Sequence, residues 1–472
     1  MPLSSANIVG SGPNGLAAAI TLAQRGVAVT LYERNAHLGG AASTAELTLP
    51  GFRHDVGSSV YPLGIASPFF RTLPLEAHGL RFVHPEAPLA HPLDDGTAVT
   101  LEHRIEDTVA QLSAHDGRAW NHLLAPLIDD WDALVDQLMQ PLLRLPKHPL
   151  GLMRFGLEGA VPAAALAKLL FRDERTRTLL AGCAAHSVLP LTHVGSSAAG
   201  LVLAAAAHTT GWPIAEGGAQ SLSNALANYL LSLGGRIYLN AEIQDLAQLD
   251  RADVTLFDTG PRAVDRIAGR VLTPSFRTRM RHFNYGPGAF KMDWALSEPI
   301  PWRAAECRRA ATVHLGSTLA EMVRSEDDAF NGRHCDRPYV LLVQPTLFDP
   351  TRAPEGKHTA WAYCHVPNGS TVDMTEAIER QIERFAPGFR DCVLARHVFY
   401  PRQLEAWNPN LVGGDVTGGA MTIEQLVTRP TAHLYRTSHS QVYLCSASTP
   451  PGGGVHGMCG HLAALAALMD HA

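Results

Sequence analysis

Three glycines and one acidic residue near the start of the chain have the spacing that binds a dinucleotide. Gly10, Gly12 and Gly15 form a G-x-G-x-x-G pattern between a short apolar strand and an apolar helix, and Glu33 ends the next strand. Such glycines permit a tight turn and let a pyrophosphate approach the backbone, while an acid at this distance accepts hydrogen bonds from ribose hydroxyls. We therefore predict dinucleotide binding, with a glycine-rich turn in an unrelated βαβ unit as the alternative.

A second glycine-rich stretch lies near the C-terminus. The sequence STPPGGGVHGMCGHLAALAALM, at 448–469, leads from a loop into a helix rich in alanine and leucine. A helix N-terminus presents unpaired N–H groups and the positive end of the helix dipole, so this segment could receive an electron-rich ligand. From these residues alone, a plain C-terminal helix with a flexible lead-in is the alternative.

Composition limits the number of domains that can position these residues and the kinds of partner that the protein can bind. With 472 residues, 46% hydrophobic and 17% charged, the chain can bury a large core and is expected to form roughly two or three domains. A net charge of −6 gives no basic field for nucleic acid, which we exclude as a partner. The seven cysteines never form a C-x-x-C pair, which favours reduced thiols and predicts no metal site.

The chain shows no pattern typical of a signal peptide, and we expect a cytoplasmic protein. The apolar run at 194–207 is shorter than the ~20 residues that span a bilayer, so we interpret it as a buried helix.

Arg144, Lys147 and Arg154 lie among apolar residues in LLRLPKHPLGLMRF. Peripheral membrane contact is one interpretation of this segment, and a solvated loop is the preferred one. The sequence does not indicate the oligomeric state.

Further segments carry a family resemblance. The pair Gly39 and Gly40 follows Glu33, and PGFRHDVGSSVY comes next, at 50–61. With the stretch at 208–246 and the C-terminal loop, these segments resemble the FAD-dependent phytoene desaturase-related oxidoreductases, which share the fold of flavin amine oxidases. The resemblance implies FAD, held noncovalently because no flavin-attachment motif is present. One departure is that Cys445 and Ser446 stand where many FAD oxidoreductases have Gly-Asp, which leaves the ribityl anchor open.

The motif and the resemblance together predict the cofactor contacts and the fold. The predicted FAD contacts are Gly10, Gly12, Pro13, Asn14, Gly15, Glu33, Arg34, Gly39, Gly40, Gly57, Ser58, Gly217, Gly218, Ile243, Gly454, Val455 and His456. We expect an α/β fold in which 1–61, 208–275 and 430–472 build a discontinuous Rossmann-like FAD-binding domain. Residues 62–207 and 276–429 are expected to form a substrate domain with a mixed β-sheet and a cover of helices.

Three residues are candidates for catalysis. Lys291, in GAFKMDWAL, resembles in place the lysine of flavin amine oxidases that holds a water near flavin N5, and a structural ion pair is the alternative. His456 lies in the glycine-rich loop, and Tyr61 follows DVGSSV with a hydroxyl that could face the flavin. Trp361 and Tyr363 share one strand face by their spacing, which is more typical of core than of a pocket.

The function predicted from these features is an FAD-dependent oxidoreductase that dehydrogenates an apolar or partly apolar small molecule by hydride transfer to flavin N5. Oxygen or a quinone would accept the electrons, and the substrate would be lipophilic. The alternatives are a flavin amine oxidase, a redox-neutral polyene isomerase, and a non-enzymatic interaction protein stabilised by FAD. An aromatic pair facing the flavin would favour the amine oxidase.

Overall fold

The computed structural model describes residues 2–141 and 149–472, and the element bounds are as follows. The strands are β1 Ser5–Val9, β2 Ala28–Tyr32, β3 Thr44–Ala45, β4 His54–Asp55, β5 Phe82–Val83, β6 Ala87–Pro92, β7 Ala98–Leu101, β8 Ile214–Ala215, β9 Arg236–Tyr238, β10 Val254–Phe257, β11 Gly288–Leu296, β12 Ala310–Leu315, β13 Val340–Val343, β14 His358–Val366, β15 Val393–Phe399 and β16 Val442–Leu444. The helices are α1 Pro13–Ala23, α2 Pro62–Ala66, α3 Ile105–Val109, α4 Ala114–Asp129, α5 Trp131–Leu138, α6 Pro149–Ala160, α7 Ala163–Leu170, α8 Glu174–Ala185, α9 Ser196–Ala207, α10 Ala219–Ser232, α11 Pro261–Ala268, α12 Pro274–Arg281, α13 Leu319–Phe330, α14 Thr375–Phe385, α15 Pro401–Trp407, α16 Ile423–Val427 and α17 Met458–Asp470.

A five-stranded parallel sheet has the order β16-β10-β1-β2-β9. Its central strand β1 and helix α1 are buried almost throughout, as expected for a parallel sheet with helices on its faces. Helix α17 packs directly on α1, because Gly460 lies so close to the carbonyl of Asn14 that a Cβ would overlap it. The chain therefore returns at its C-terminus to the helix that begins the fold.

A seven-stranded sheet has the order β15-β11-β14-β13-β12-β6-β7. Its pairs are antiparallel except β12 with β6, which run parallel, so the sheet is mixed. Strand β11 is buried along its whole length between β14 and β15. This arrangement places the polar side chains of β11 in a dry environment.

The predicted α/β fold, with its Rossmann-like part and mixed sheet, is confirmed. Most of the run at 194–207 forms the buried helix α9, Ser196–Ala207, as predicted, whereas Val194 precedes the helix and is exposed. The boundaries between domains stay a prediction. Among the described residues, no helix has the length and apolar character needed to cross a bilayer.

Candidate functional site

A cavity of about 400 Å³ runs along one edge of the five-stranded sheet. Because the strands are parallel, their carboxyl ends meet at this edge, which is where open α/β sheets bind ligands. The cavity is lined by the residues that directly follow four of the strands: Gly10 after β1, Glu33 after β2, Asp258 after β10 and, one residue further on, Ser446 after β16. The topology thus gathers residues more than 400 positions apart.

Glu33 lies at one end of the cavity and is already held by the backbone around it. Its Oε2 accepts hydrogen bonds from the Ser11 N–H at 3.0 Å and the Ser11 hydroxyl at 2.6 Å, and its Oε1 accepts one from the Asn35 N–H at 2.8 Å. Only 5% of the residue is exposed. A carboxylate has about four lone-pair positions, so Glu33 can still accept a bond from a ligand hydroxyl. Ile243 and Tyr32 line the cavity nearby.

The middle of the cavity is bounded by glycine backbone. Gly10 has φ of +101° and Gly40 has φ of +55°, conformations that favour glycine. A Cβ on Gly40 would lie 3.6 Å from the Cα of Gly12. A side chain at position 40 would therefore narrow the part of the cavity that lies between Gly12 and Gly40. Gly12 also caps helix α1, whose N-terminus points its free N–H groups toward this region.

The other end of the cavity is lined by residues of the seven-stranded sheet. Lys291 of β11 lies opposite Tyr363 of β14 in the strand register, and both line the cavity together with Trp361. The Trp361 and Tyr363 rings lie side by side, with centroids 6.0 Å apart and planes 11° apart. The Trp361 indole N–H donates to Ser59 at 3.0 Å, which fixes the ring against the DVGSS segment.

Lys291 forms a buried ion pair with Asp293, two residues along the same strand. Its Nζ lies 2.5 Å from Asp293 Oδ1, and 5.2 Å from the centre of the Trp361 ring. Burial lowers the pKa of Lys291, opposed by Asp293, and burial raises the pKa of Asp293 to about 6, opposed by Lys291. Burial also lowers the pKa of nearby His54 to about 3, so this imidazole is neutral and adds no second cation. The Lys291 ammonium is thus the positively charged group of this ion pair, at the end of the cavity that Trp361 and Tyr363 line.

Most residues predicted to contact the cofactor do line the cavity. They are Gly10, Gly12, Pro13, Asn14, Glu33, Arg34, Gly40, Gly57, Ser58, Ile243, Gly454 and Val455, and the catalytic candidate Lys291 joins them. Gly15 and Gly39 lie just behind this lining: the Gly15 N–H donates to Asp258, and the Gly39 N–H donates to the Ser11 carbonyl.

Four other predicted residues face neighbouring protein instead of the cavity. Tyr61 is buried, and its hydroxyl donates to the Ser58 carbonyl at 3.1 Å. His456 is buried, its Nδ1 accepts a hydrogen bond from the Met458 N–H at 3.1 Å, and burial lowers its pKa to about 4. Neither side chain lines the cavity, and a catalytic role for Tyr61 or His456 stays a prediction.

The pair of glycines before α10 is also packed against protein. The Gly217 N–H donates to Asp349 at 2.8 Å. Gly218 faces Thr44 and Asp55 so closely that a side chain would collide with Thr44. This segment supports the strands β3 and β4, which precede the DVGSS loop, and stands one layer behind the cavity.

Asp258 and Asn410 are among the cavity residues that the sequence reasoning missed. Asp258 follows the apolar strand VTLF, and an acid directly after a predicted strand was a usable signal, as it was for Glu33. Asn410 joins the cavity from a distant loop, donating from Nδ2 to the Asp258 carbonyl at 3.0 Å and accepting at Oδ1 from the Gly260 N–H at 2.8 Å. No local pattern marks Asn410. Ser446, which stands where many FAD oxidoreductases have an aspartate, lines the cavity together with Ser448.

The basic segment proposed for membrane contact is described only in part. Arg144 and Lys147 lie outside the described residues. Arg154 lies on α6 and donates to the His122 carbonyl at 2.8 Å and to Glu158 at 3.4 Å. Among residues 2–141 and 149–472, no group of three His, Cys, Asp or Glu side chains is arranged to hold a metal ion.

Residues 8–73 match the family described as NAD(P)-binding Rossmann-like domain. This match covers the first βαβ unit, the Gly39–Gly40 pair and the DVGSS segment. The fold and the cavity define a nucleotide-binding protein with a Rossmann-like sheet and a second, mixed sheet that closes the far end of the site.

Two curated relatives and one solved structure resemble the chain over nearly its whole length. It is homologous to mouse pyridine nucleotide-disulfide oxidoreductase domain-containing protein 2, with 27% identity over 99% of this chain and 94% of the relative. It is also homologous to 4,4'-diapophytoene desaturase (4,4'-diaponeurosporene-forming) of Staphylococcus haemolyticus, with 23% identity over 95% of both chains. The crystal structure of cyclohexylamine oxidase from Brevibacterium oxydans has the same fold, with a TM-score of 0.62 at 16% identity over 99% of both chains. The predicted likeness to phytoene desaturases, on a fold shared with amine oxidases, is confirmed.

Proposed function

We propose that the chain is an FAD-dependent oxidoreductase that dehydrogenates a C–H bond of an apolar or partly apolar small molecule. The observation that carries the proposal is the continuity of the cavity. One space connects the acid and the glycine turn of a dinucleotide site to a wall formed by Lys291, Trp361 and Tyr363. A dinucleotide that carries a redox-active ring needs one end of the cavity for its nucleotide and the other end for the ring.

The residues present fit FAD in type and position. The narrow middle, where Gly12 faces Gly40, accepts a pyrophosphate without a side chain in the way. The residues that would hold the cofactor are Glu33, Arg34 and Ile243 at the adenosine end, Gly12, Asn14 and Gly40 at the pyrophosphate, and Gly57, Ser58, Gly454 and Val455 at the flavin. The hydrogen bonds of Glu33 to Ser11 and Asn35 orient its carboxylate in advance, which lowers the cost of ordering it on binding.

When bound, FAD supplies the hydride acceptor, since the redox chemistry belongs to the cofactor. The chain's own contribution is to position the substrate and to exclude water. The wall at the far end is apolar or aromatic apart from Lys291, with Val60, Ala289 and Leu411 among its residues. This lining favours a lipophilic substrate, as does the homology to a diapophytoene desaturase. We propose oxygen or a quinone as the electron acceptor.

The aromatic residues favour dehydrogenation over amine oxidation. Trp361 and Tyr363 are neighbours on one face of β14, and rings stacked 6.0 Å apart leave no room for a substrate between them. We therefore rank the amine oxidase below the desaturase-type activity.

Anaerobic photometry with a panel of compounds tests the proposal. Apolar polyenes and alkenes should bleach the flavin absorbance at about 450 nm, which reports its reduction, and primary amines should not. Bleaching by amines alone would contradict the substrate class. Product formation without bleaching would favour the redox-neutral isomerase, and a flavin that no compound reduces or converts would favour the non-enzymatic alternative. The Gly12→Ala variant, in which the added Cβ lies 2.5 Å from Asp258 Oδ2, is the matched control with an obstructed site.

A further inference from the structure

The carboxyl group of Asp258 occupies the N-terminus of helix α1, between the glycines of the G-x-G-x-x-G turn. Its Oδ2 accepts a hydrogen bond from the Gly15 N–H at 2.8 Å. A Cβ on Gly12 would lie 2.5 Å from this oxygen, and a Cβ on Gly15 would lie 2.9 Å from it. The glycines at 12 and 15 therefore leave room for a carboxyl group from β10 as well as for a ligand.

Among the residues that the structure describes, no cation is paired with this carboxyl group. Within the described residues, no Lys, Arg or His lies within ion-pair distance of Asp258, which is only 6% exposed and lines the cavity. The titratable groups that face it are Glu33 at the end of β2, Cys445 beyond β16 and Cys459 on α17. Burial raises the pKa of both thiols, so they stay neutral, and Glu33 contributes a like charge.

The protonation state of Asp258 follows from this setting. Burial raises its pKa to about 8, with Glu33 acting in the same direction and the N–H groups of Gly15 and Gly12 opposing it. The N-terminus of α1 is also where a pyrophosphate would bind, since the helix dipole and the free N–H groups attract negative charge there. An ionised Asp258 and a pyrophosphate would then repel each other at one helix end in a dry site.

We propose that Asp258 is a further cofactor-binding residue that must carry a proton when the pyrophosphate of FAD binds. The structure gives its Oδ1 no hydrogen-bond partner among the described residues, so a neutral carboxyl group has an oxygen available to the cavity. Cofactor binding is accordingly coupled to the uptake of a proton by Asp258 from solvent. This inference rests on the proposed function, because it needs a dinucleotide in the cavity.

The test measures FAD affinity between pH 6.5 and 9 by titrating the apoprotein and following flavin fluorescence. The Kd should be nearly constant below pH 8 and should rise by about tenfold per pH unit above the pKa of the free carboxyl group. Calorimetry at pH 9 in two buffers of different ionisation enthalpy should report an uptake of about one proton for each FAD bound. The calorimetric measurement needs no variant.

Two variants distinguish the responsible group. Asp258→Asn keeps the shape and stays neutral, so its Kd should not depend on pH and its proton uptake should vanish. Cys459→Ala removes a facing thiol and should keep the pH dependence of the unmodified chain. Binding with a flat pH profile, or a sloping profile retained in Asp258→Asn, would overturn the assignment while leaving the proposed function intact. No binding at any pH would overturn both.

Discussion

Replacing Lys291 should have two separable consequences, one for stability and one for chemistry. Its ammonium lies 2.5 Å from Asp293 Oδ1, and both side chains are buried. Lys291→Met conserves much of the volume but leaves the Asp293 carboxylate without its cation. Removing one partner of a buried ion pair costs about 3–5 kcal/mol. Asp293 limits the loss by taking up a proton, because its pKa, already raised by burial to about 6, rises further without Lys291.

The double variant Lys291→Met/Asp293→Asn isolates the pair. Since it removes both charges, it should recover most of the stability lost in Lys291→Met, at least about 2 kcal/mol. Urea unfolding of the apoproteins measures this difference, and Lys357→Met, at an exposed lysine, is the control for the substitution itself. A double variant no more stable than Lys291→Met would contradict the ion pair as the source of the loss.

The same double variant tests the chemistry in a folded protein. A positive charge beside the flavin stabilises the negative charge that develops on oxygen, and losing ~1.4 kcal/mol of that stabilisation slows the reaction tenfold. Reoxidation of the reduced flavin should therefore slow by at least about tenfold, while flavin reduction by substrate changes less. Stopped-flow measurement gives the rate of flavin reduction by substrate and the rate of flavin reoxidation by oxygen separately. An unaltered reoxidation rate would remove Lys291 from the mechanism and leave it a structural residue.

Three further variants test the other parts of the site. Glu33→Ala removes the carboxylate that is expected to accept a hydrogen bond from the ribose, so FAD affinity should weaken by roughly ten- to a hundred-fold, measured by fluorescence titration, and an unchanged Kd would contradict ribose binding. Gly12→Ala, whose Cβ would collide with Asp258, should lower the FAD content of the purified protein, whereas Gly156→Ala, at an open helical position, should not, and equal flavin content in both would contradict the need for a glycine at this turn. Asp258→Asn should change the pH dependence of stability. The folded chain holds a proton on Asp258 up to about pH 8, whereas the unfolded chain releases it near pH 4, so the free energy of unfolding should fall between these values in the unmodified chain and fall less in the variant. Urea unfolding at pH 5 and at pH 8 measures this fall in the free energy of unfolding. An equal fall in the unmodified chain and in Asp258→Asn would contradict the prediction.

The first βαβ unit could be predicted almost completely from the sequence. Its glycine spacing, the apolar helix and the terminal acid are all local patterns, and they fix the end of β1, helix α1 and the position of Glu33. The family resemblance added Gly40, Gly57 and Gly454, which line the same cavity from distant segments, and their contact with FAD stays a prediction.

The residues that sequence reasoning missed or misplaced depend on tertiary structure. Asp258 reaches the glycine turn because β10 lies parallel to β1, and strand order does not follow from a local pattern. Asn410 comes from a loop whose path no periodicity marks. Tyr61 and His456 stand next to cavity residues in the chain, but turn geometry directs their side chains toward Ser58 and the backbone of α17. Proximity in sequence was therefore a poor guide to side-chain direction in both loops.

The most direct test of the account is the flavin content of the purified chain. The absorbance spectrum should show bound flavin, and acid precipitation should release stoichiometric FAD into the supernatant, because the sequence contains no flavin-attachment motif and we expect noncovalent binding. A colourless protein that cannot be reconstituted with FAD would contradict the central claim.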